Sequence, residues 1–175
     1  ASDMVEVKPQ ALQLGLPISG SLRAVRSALI KARVAGELMD LQVREGDAVK
    51  AGQVLARIDP TEYQRRLRQA QEQAEAAKAQ VDIAQRQFDN NRALVDQGFI
   101  SKTALDTSLA TLQSAQATYR AAVAGADVSR KALEDSQMVA PFSGWVAARA
   151  AQNGERLAID ARILELVDLS QLEVE

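Results

Sequence analysis

The 175-residue chain contains neither cysteine nor histidine. Thiol catalysis, histidine-based acid–base chemistry and the usual zinc sites are therefore excluded. The three methionines, Met4, Met39 and Met138, are far apart in the sequence and do not favour a soft-metal site.

Long hydrophobic runs are also missing. No apolar stretch approaches the roughly 18 to 20 residues that cross a bilayer, and no signal peptide begins the chain. We therefore expect either a cytosolic protein or a mature or trimmed chain, and the features below favour the trimmed chain.

Aromatic residues make up 3% of the chain, and alanine inflates the hydrophobic fraction of 47%. This composition predicts a small body with a projecting coiled coil rather than one large core. The formal net charge is −2, with acidic and basic residues interleaved, so no electrostatic feature indicates nucleic-acid binding.

The centre of the chain carries two heptad patterns. The first runs through Tyr63, Leu67, Ala70, Ala74, Ala77, Val81, Ala84, Phe88, Asn91 and Val95. The second runs through Leu105, Leu109, Leu112, Gln116, Tyr119, Val123, Ala126, Arg130 and Leu133. About 35 residues per arm, each rising 1.5 Å, predict an antiparallel helical hairpin about 50 Å long.

Residues with helix-capping preferences bound both arms. Asp59 precedes Pro60, which predicts an N-cap followed by proline at the first helical position. Gly98 predicts a left-handed helix end that Phe99 closes by a hydrophobic contact. Ser101 predicts the N-cap of the return helix.

A glycine-punctuated pattern occurs on both sides of the hairpin. Turns are predicted at Gly36, Gly46 and Gly52 before the hairpin and at Gly144 and Gly154 after it. A constant offset of 108 residues relates the two copies, and one extra residue in the second copy aligns Leu164 with Leu55 and Asp168 with Asp59. Each copy alone has too little apolar surface to fold, so we expect the two to pack together. Trp145 is expected in the core or at a sheet edge.

The first copy, Ala32-x-x-x-Gly36 through Glu45-Gly46-Asp47 to Ile58-Asp59, resembles half of a biotinyl/lipoyl domain. A helical hairpin and a second half opening at Ala140-Pro141-Phe142-Ser143-Gly144 follow. This order resembles the periplasmic adaptors, or membrane fusion proteins, of tripartite efflux pumps. The resemblance covers residues 17–175, and residues 17–59 look most like adaptors of resistance-nodulation-division (RND) pumps.

The resemblance implies an α+β, multi-module fold. An antiparallel coiled-coil α-hairpin is inserted between two halves of a lipoyl-like β-sandwich, flanked by partial β-barrel strands. The predicted segments are barrel strands in 1–28, the first lipoyl half in 29–59, the hairpin in 60–136, the second half in 137–168 and a new barrel strand from 169–175.

The resemblance also implies a function without catalysis or a cofactor. Such adaptors link an inner-membrane transporter to an outer-membrane efflux channel, and they assemble as a hexameric ring or trimer of dimers. The implied location is the periplasm, attached to the inner membrane through a segment before residue 1. The sequence does not indicate the exported substrate or the oligomeric state.

In the family the hairpin tip docks on the channel through an Arg, a Leu four residues later and a Ser seven after that. Leu94 and Ser101 match this spacing, while Asn90 occupies the Arg position. Arg92 or Arg86 could replace the missing charge. With Gly98 in the turn, the candidate docking residues are Asn90, Arg92, Leu94, Gly98 and Ser101.

Three alternatives remain open at this stage. The modules are shared with adaptors of type I secretion and other transporters, although hairpin length and the tip favour efflux. A biotin or lipoate carrier would need a lysine at the tight turn between the halves, which the hairpin occupies instead. A free-standing coiled-coil scaffold would explain the helices but not the repeat around them.

Overall fold

A computed structural model describes residues 26–168 and confirms the α+β architecture of two long helices and antiparallel sheets. The strands before the helices are β1 (Arg26–Lys31), β2 (Gly36–Met39), β3 (Ala48–Val49) and β4 (Val54–Ile58). Helices α1 (Thr61–Asp96) and α2 (Lys102–Asp135) follow, and then β5 (Gln137–Val139), β6 (Gly144–Arg149), β7 (Arg156–Leu157) and β8 (Arg162–Asp168). Barrel strands were predicted in 1–28 and from 169–175; residues 1–25 and 169–175 lie outside the described residues, whereas residues 26–28 belong to β1, which pairs with β8.

The strands form two four-stranded sheets, one in the order β1-β8-β6-β3 (sheet A) and one in the order β5-β4-β2-β7 (sheet B). The equivalent strands of the two copies are β1 and β5, β2 and β6, β3 and β7, and β4 and β8. Replacing each strand of sheet A by its equivalent gives the strand order of sheet B. Every sheet therefore contains strands from both copies. This confirms that the two copies complete one sandwich together, because neither supplies a whole sheet.

The offset between the copies stays at 108 residues through β8, so the predicted extra residue is wrong. Leu38 pairs with Ile58 in sheet B, and Val146 pairs with Leu166 in sheet A, which is the same pairing shifted by 108. The sequence alignment matched Asp168 to Asp59 by residue identity. The strand register matches buried positions instead.

Hydrogen bonds between the copies repeat in the same way. The Gly46 amide donates to the Val146 carbonyl, and the Gly154 amide donates to the Leu38 carbonyl, both at 2.8 Å. The sandwich core consists of buried residues from both sheets, including Leu38, Leu55, Ile58, Val146, Ile163, Leu164 and Leu166.

The predicted turn glycines occupy two kinds of position. Gly46, Gly52 and Gly154 lie in turns with φ of +90°, +83° and +88°. Gly36 and Gly144 instead begin strands β2 and β6. At Gly144 a Cβ atom would lie 2.1 Å from the Val167 carbonyl oxygen, so the close approach of β8 requires glycine there.

Trp145 does not lie in the core or at a sheet edge, so that prediction is wrong. It lies on β6, an inner strand of sheet A, and 42% of its surface is exposed. Neighbouring Gly144 and Val146 are buried, and side chains alternate along a strand. Trp145 is therefore on the outer face of the sheet.

The first heptad pattern is confirmed in α1. All ten of its positions are buried or half-buried, and every other α1 residue except Gln85 is exposed. Ala77 and Ala84 are the most deeply buried, as expected where small side chains allow close helix packing. The helix begins at Thr61, one residue later than predicted, with Pro60 in the cap position.

The second heptad pattern is only partly correct. Leu112 and Ala126 are buried as predicted, whereas Leu109 and Val123 are exposed. Arg130, also in the predicted seam, is exposed as well. The smaller residues one position before these three are buried or half-buried instead, namely Ser108, Ala122 and Ser129. Helices packed through alanine approach too closely to cover the larger side chains.

Candidate functional site

The connection between the two helices contains the predicted docking residues. Helix α1 ends at Asp96, and α2 begins at Lys102, so 97–101 form the hairpin tip. Gly98 has φ of +79° and donates its amide to the Val95 carbonyl at 2.9 Å. The Phe99 amide donates to the Leu94 carbonyl at 2.9 Å. These two bonds form a Schellman motif, which satisfies carbonyls that a helix end leaves without partners.

Ser101 begins the return helix as its N-cap. Its Oγ accepts a hydrogen bond from the Ala104 amide at 3.2 Å. Its carbonyl also accepts the Leu105 amide at 3.4 Å. The N-cap predicted from sequence is thus present, and both helix ends at the tip are closed by local hydrogen bonds.

Two apolar side chains remain accessible at this closed tip. Leu94 is 38% exposed and Phe99 is 71% exposed. The predicted packing of the Phe99 ring against the helix end is therefore largely absent. The Phe99 amide takes part in the cap, while the ring faces solvent. Sequence analysis favoured a capping contact over a binding role for Phe99, so this residue was left out of the docking candidates, although an aromatic beside a C-terminal glycine was the available signal.

The helix geometry separates the polar candidates. Successive helical residues are rotated by about 100°, so Asn90 lies about 40° from Leu94 and one turn away. Arg92 lies about 160° from Leu94, on the opposite side of α1. Asn90 and Leu94 therefore share one side of α1 near the tip, and Arg92 lies on the other side, while Gly98 and Ser101 lie in the connection itself. Arg86 is two turns from Leu94 and about 80° around the helix.

Residues 26–168 contain no group of three or more residues suited to metal binding. Neither described helix is long and apolar enough to cross a membrane. What the tip offers chemically is a contact surface. An exposed leucine and an aromatic ring lie beside side chains that can form hydrogen bonds.

Comparison with known proteins identifies the family. Residues 26–166 match the family model described as the barrel-sandwich hybrid domain of RND membrane fusion proteins. Nodulation protein NolF of Rhizobium meliloti (strain 1021) is 27% identical over 158 residues, which are 90% of this chain and 43% of NolF. Multidrug resistance protein MdtA of Yersinia pestis (strain Pestoides F) is 35% identical over 135 residues, which are 77% of this chain and 30% of MdtA.

Among solved structures, the periplasmic adaptor protein EmrA shares the fold, with a TM-score of 0.58 at 14% identity over 84% of this chain and 73% of that one. The chain spans less than half the length of NolF and of MdtA. The match to the family model covers both sheets and both helices described above. The chain belongs to the membrane fusion protein family of RND efflux systems.

Proposed function

We propose that this chain is part of a periplasmic adaptor that links an inner-membrane efflux transporter to an outer-membrane channel. The hairpin tip docks on the channel, and the protein acts by assembly rather than by catalysis. Support comes from the family and from relatives whose names describe multidrug resistance and a periplasmic adaptor. Several copies assemble around one conduit in a ring, attached to the inner membrane.

The observation that carries the docking role is the exposure of Leu94 and Phe99 at a rigid tip. The Schellman motif and the Ser101 cap provide hydrogen-bond partners for the backbone groups at the tip, and the side chains of Leu94 and Phe99 stay exposed. A helix end that presents apolar side chains in a fixed geometry loses little conformational entropy on binding. Aromatic anchors surrounded by polar groups are typical centres of binding energy.

Asn90 takes the position where the family has an arginine. It lies on the same side of α1 as Leu94, and we assign it a hydrogen bond to the channel. Arg92 lies on the opposite side and contributes at most to long-range attraction. The expected order of importance at the tip is therefore Leu94 and Phe99 first, Asn90 second and Arg92 last.

The test is drug-susceptibility complementation with the full-length protein in cells that lack their own copy. Leu94→Asp and Phe99→Asp are compared with Leu109→Asp and Val128→Asp. The controls match the tip residues in exposure, at 38% and 71%, but lie along α2. We expect resistance to be lost in both tip variants and kept in both controls, with expression unchanged.

A result in which well-expressed tip variants restore full resistance would show that the tip does not dock. If the wild type changes no drug susceptibility, the efflux role itself is wrong, and secretion becomes the better hypothesis. Comparison of Arg92→Ala with Asn90→Ala distinguishes the two candidate polar residues. We expect Arg92→Ala to reduce resistance less than Asn90→Ala does.

A further inference from the structure

The turn before β7 carries the pair Asn153-Gly154, the one place in the chain where glycine follows asparagine. In such a pair the glycine amide nitrogen can attack the side-chain carboxamide of the asparagine. Glycine favours this attack because it has no Cβ atom and its backbone turns freely. Spontaneous loss of the side-chain amide is therefore faster at this pair in a flexible peptide than at other asparagines. The chain's other two asparagines, Asn90 and Asn91, lie within helix α1.

Hydrogen bonds hold the Asn153 carboxamide on the first copy of the repeat. Its Oδ1 accepts the Leu41 amide at 2.8 Å, and its Nδ2 donates to the Leu41 carbonyl at 2.9 Å. One side chain thus satisfies both backbone groups of a buried residue that lies 112 positions earlier in the chain. The carboxamide cannot turn toward the Gly154 nitrogen without losing both bonds.

The attacking nitrogen is held as well. The Gly154 amide donates to the Leu38 carbonyl at 2.8 Å. The turn around it is closed by the Glu155 amide, which donates to the Gln152 carbonyl at 3.2 Å. Attack requires the Gly154 nitrogen to lose its proton and to reach the Asn153 Cγ atom. The hydrogen bond to Leu38 must therefore open too.

These hydrogen bonds join the two copies of the repeat. Asn153 and Gly154 belong to the second copy, whereas Leu38 and Leu41 belong to the first. The reaction therefore requires the two copies to separate at this turn. When only the open form reacts and closing is fast, the population of the open form sets the rate.

The first copy shows that the turn itself does not require asparagine. In the equivalent turn the Asp47 amide donates to the Arg44 carbonyl at 3.0 Å, and the Arg44 amide donates to Asp47 Oδ2 at 2.9 Å. Glu45 occupies the position of Asn153 there, by the offset of 108 residues between the copies. The asparagine side chain therefore serves the contact with Leu41 rather than the shape of the turn.

We propose that Asn153 is a deamidation site, protected while the two copies are joined and reactive when they separate. The Gly154 nitrogen loses its proton and forms a bond to Asn153 Cγ. The Cγ–Nδ2 bond breaks, and the amide leaves with that proton as ammonia. Water, which reaches this exposed turn, then opens either C–N bond of the cyclic imide. The product is aspartate, or isoaspartate, in which the main chain runs through the side-chain carbon.

The products no longer fit the first copy. A carboxylate has no N–H group, so the Leu41 carbonyl loses its donor and faces a negatively charged oxygen. In isoaspartate an extra carbon enters the main chain before Gly154 and displaces its amide from the Leu38 carbonyl. A chain that is modified while open therefore rejoins less readily. The inference is independent of the proposed adaptor role.

The test follows the Asn153 amide by mass spectrometry in mildly alkaline buffer. Trypsin releases residues 150–156 as one peptide, because Arg149 and Arg156 flank the turn. The rate is compared between the purified 175-residue chain, the same chain unfolded in urea, and the synthetic peptide 150–156 with and without urea. We expect the folded chain to react at least about tenfold more slowly than the peptide, because the bonds to Leu38 and Leu41 must open first. The unfolded chain is expected to match the peptide in urea.

Destabilising the sandwich is expected to speed the reaction. Gly144→Ala, whose added Cβ clashes with the Val167 carbonyl, should raise the rate at least about tenfold by enlarging the open population. Gly125→Ala, at an open position in α2, should leave the rate unchanged. Urea concentrations below the unfolding transition provide the same test without a substitution, and the rate should rise with each addition.

Asn153→Asp reproduces one product directly. We expect it to lower the urea midpoint of the Trp145 fluorescence transition, whereas Asn90→Asp, the same chemical change on α1, leaves that midpoint unchanged. The proposal is overturned if the folded chain reacts as fast as the peptide, or if its rate does not rise as stability falls. It is also overturned if a chain fully deamidated at Asn153 while unfolded refolds with the wild-type midpoint.

Discussion

Replacing Gly144 with alanine tests the close approach of strands in sheet A. The added Cβ atom would lie 2.1 Å from the Val167 carbonyl oxygen and 2.9 Å from its carbonyl carbon. Ordinary contacts begin above 3 Å, so the backbone of β8 would have to move by about 1 Å. Both obstructing atoms are backbone, so no side-chain rotation relieves the clash.

We expect Gly144→Ala to lower the free energy of unfolding by about 3 kcal/mol. Overpacking alone typically costs about 1 to 3 kcal/mol, and weakened hydrogen bonds between β6 and β8 add about 1 kcal/mol. Urea unfolding followed by fluorescence of Trp145, the single tryptophan, measures this loss in the sandwich.

Gly125→Ala is the matched control. Gly125 lies within α2, and a Cβ there would have no atom within 4 Å. This change is expected to stabilise α2 by about 0.8 to 1 kcal/mol, measured by far-UV circular dichroism. The reasoning would be refuted if Gly144→Ala unfolded at the wild-type urea concentration.

Three further predictions concern single positions. Asp160 has φ of +73° at the position equivalent to Gly52, so Asp160→Gly should raise the free energy of unfolding by about 0.5 kcal/mol, whereas Gly52→Ala should lower it by about 1 kcal/mol. A destabilising Asp160→Gly in urea unfolding contradicts this. Ser101→Ala removes the hydrogen bond from the Ala104 amide and should lower the free energy of unfolding by about 1 kcal/mol, measured by thermal unfolding. Ser101→Asp should keep most of the wild-type stability, and equal losses in the two variants would exclude the capping role. Leu112→Ala should cost at least about 2 kcal/mol and Leu109→Ala well under 1 kcal/mol, because their exposures are 5% and 38%; the reverse order in urea unfolding would restore the seam predicted from sequence.

The sequence was most informative where one physical requirement dominated. The seam of α1 could be predicted because its apolar and alanine positions are separated by consistently polar ones. In α2 the larger residues Leu109 and Val123 suggested one seam, while close packing selects the smaller Ser108 and Ala122. Local periodicity cannot reveal how closely two helices approach.

The sandwich shows the same limit. Its repeat and its turn glycines were visible in sequence, but residue identity misplaced the register at Asp168, which only strand pairing corrects. Trp145 was expected in the core or at a sheet edge because tryptophan is large and mostly apolar. The outward orientation of its side chain depends on how β6 pairs with its neighbours, and the pattern of apolar and polar residues around Gly144 does not determine that pairing.

At the tip, Gly98 and Ser101 located the connection between the helices, and the cap at Ser101 was predicted correctly. The exposure of Phe99 was not predicted, since the same residue could have packed against the helix end. The rotation between Arg92 and Leu94 follows from helix geometry once the helix is known to continue to Asp96.

The most direct test of the docking role is site-specific photocross-linking in cells. A photoreactive phenylalanine analogue replaces Phe99 in the full-length protein and, as a control of equal exposure, Val128. The account predicts an adduct with an outer-membrane channel from position 99 and none from position 128. Identical adducts from both positions, or an adduct from position 99 with the inner-membrane transporter alone, would contradict it.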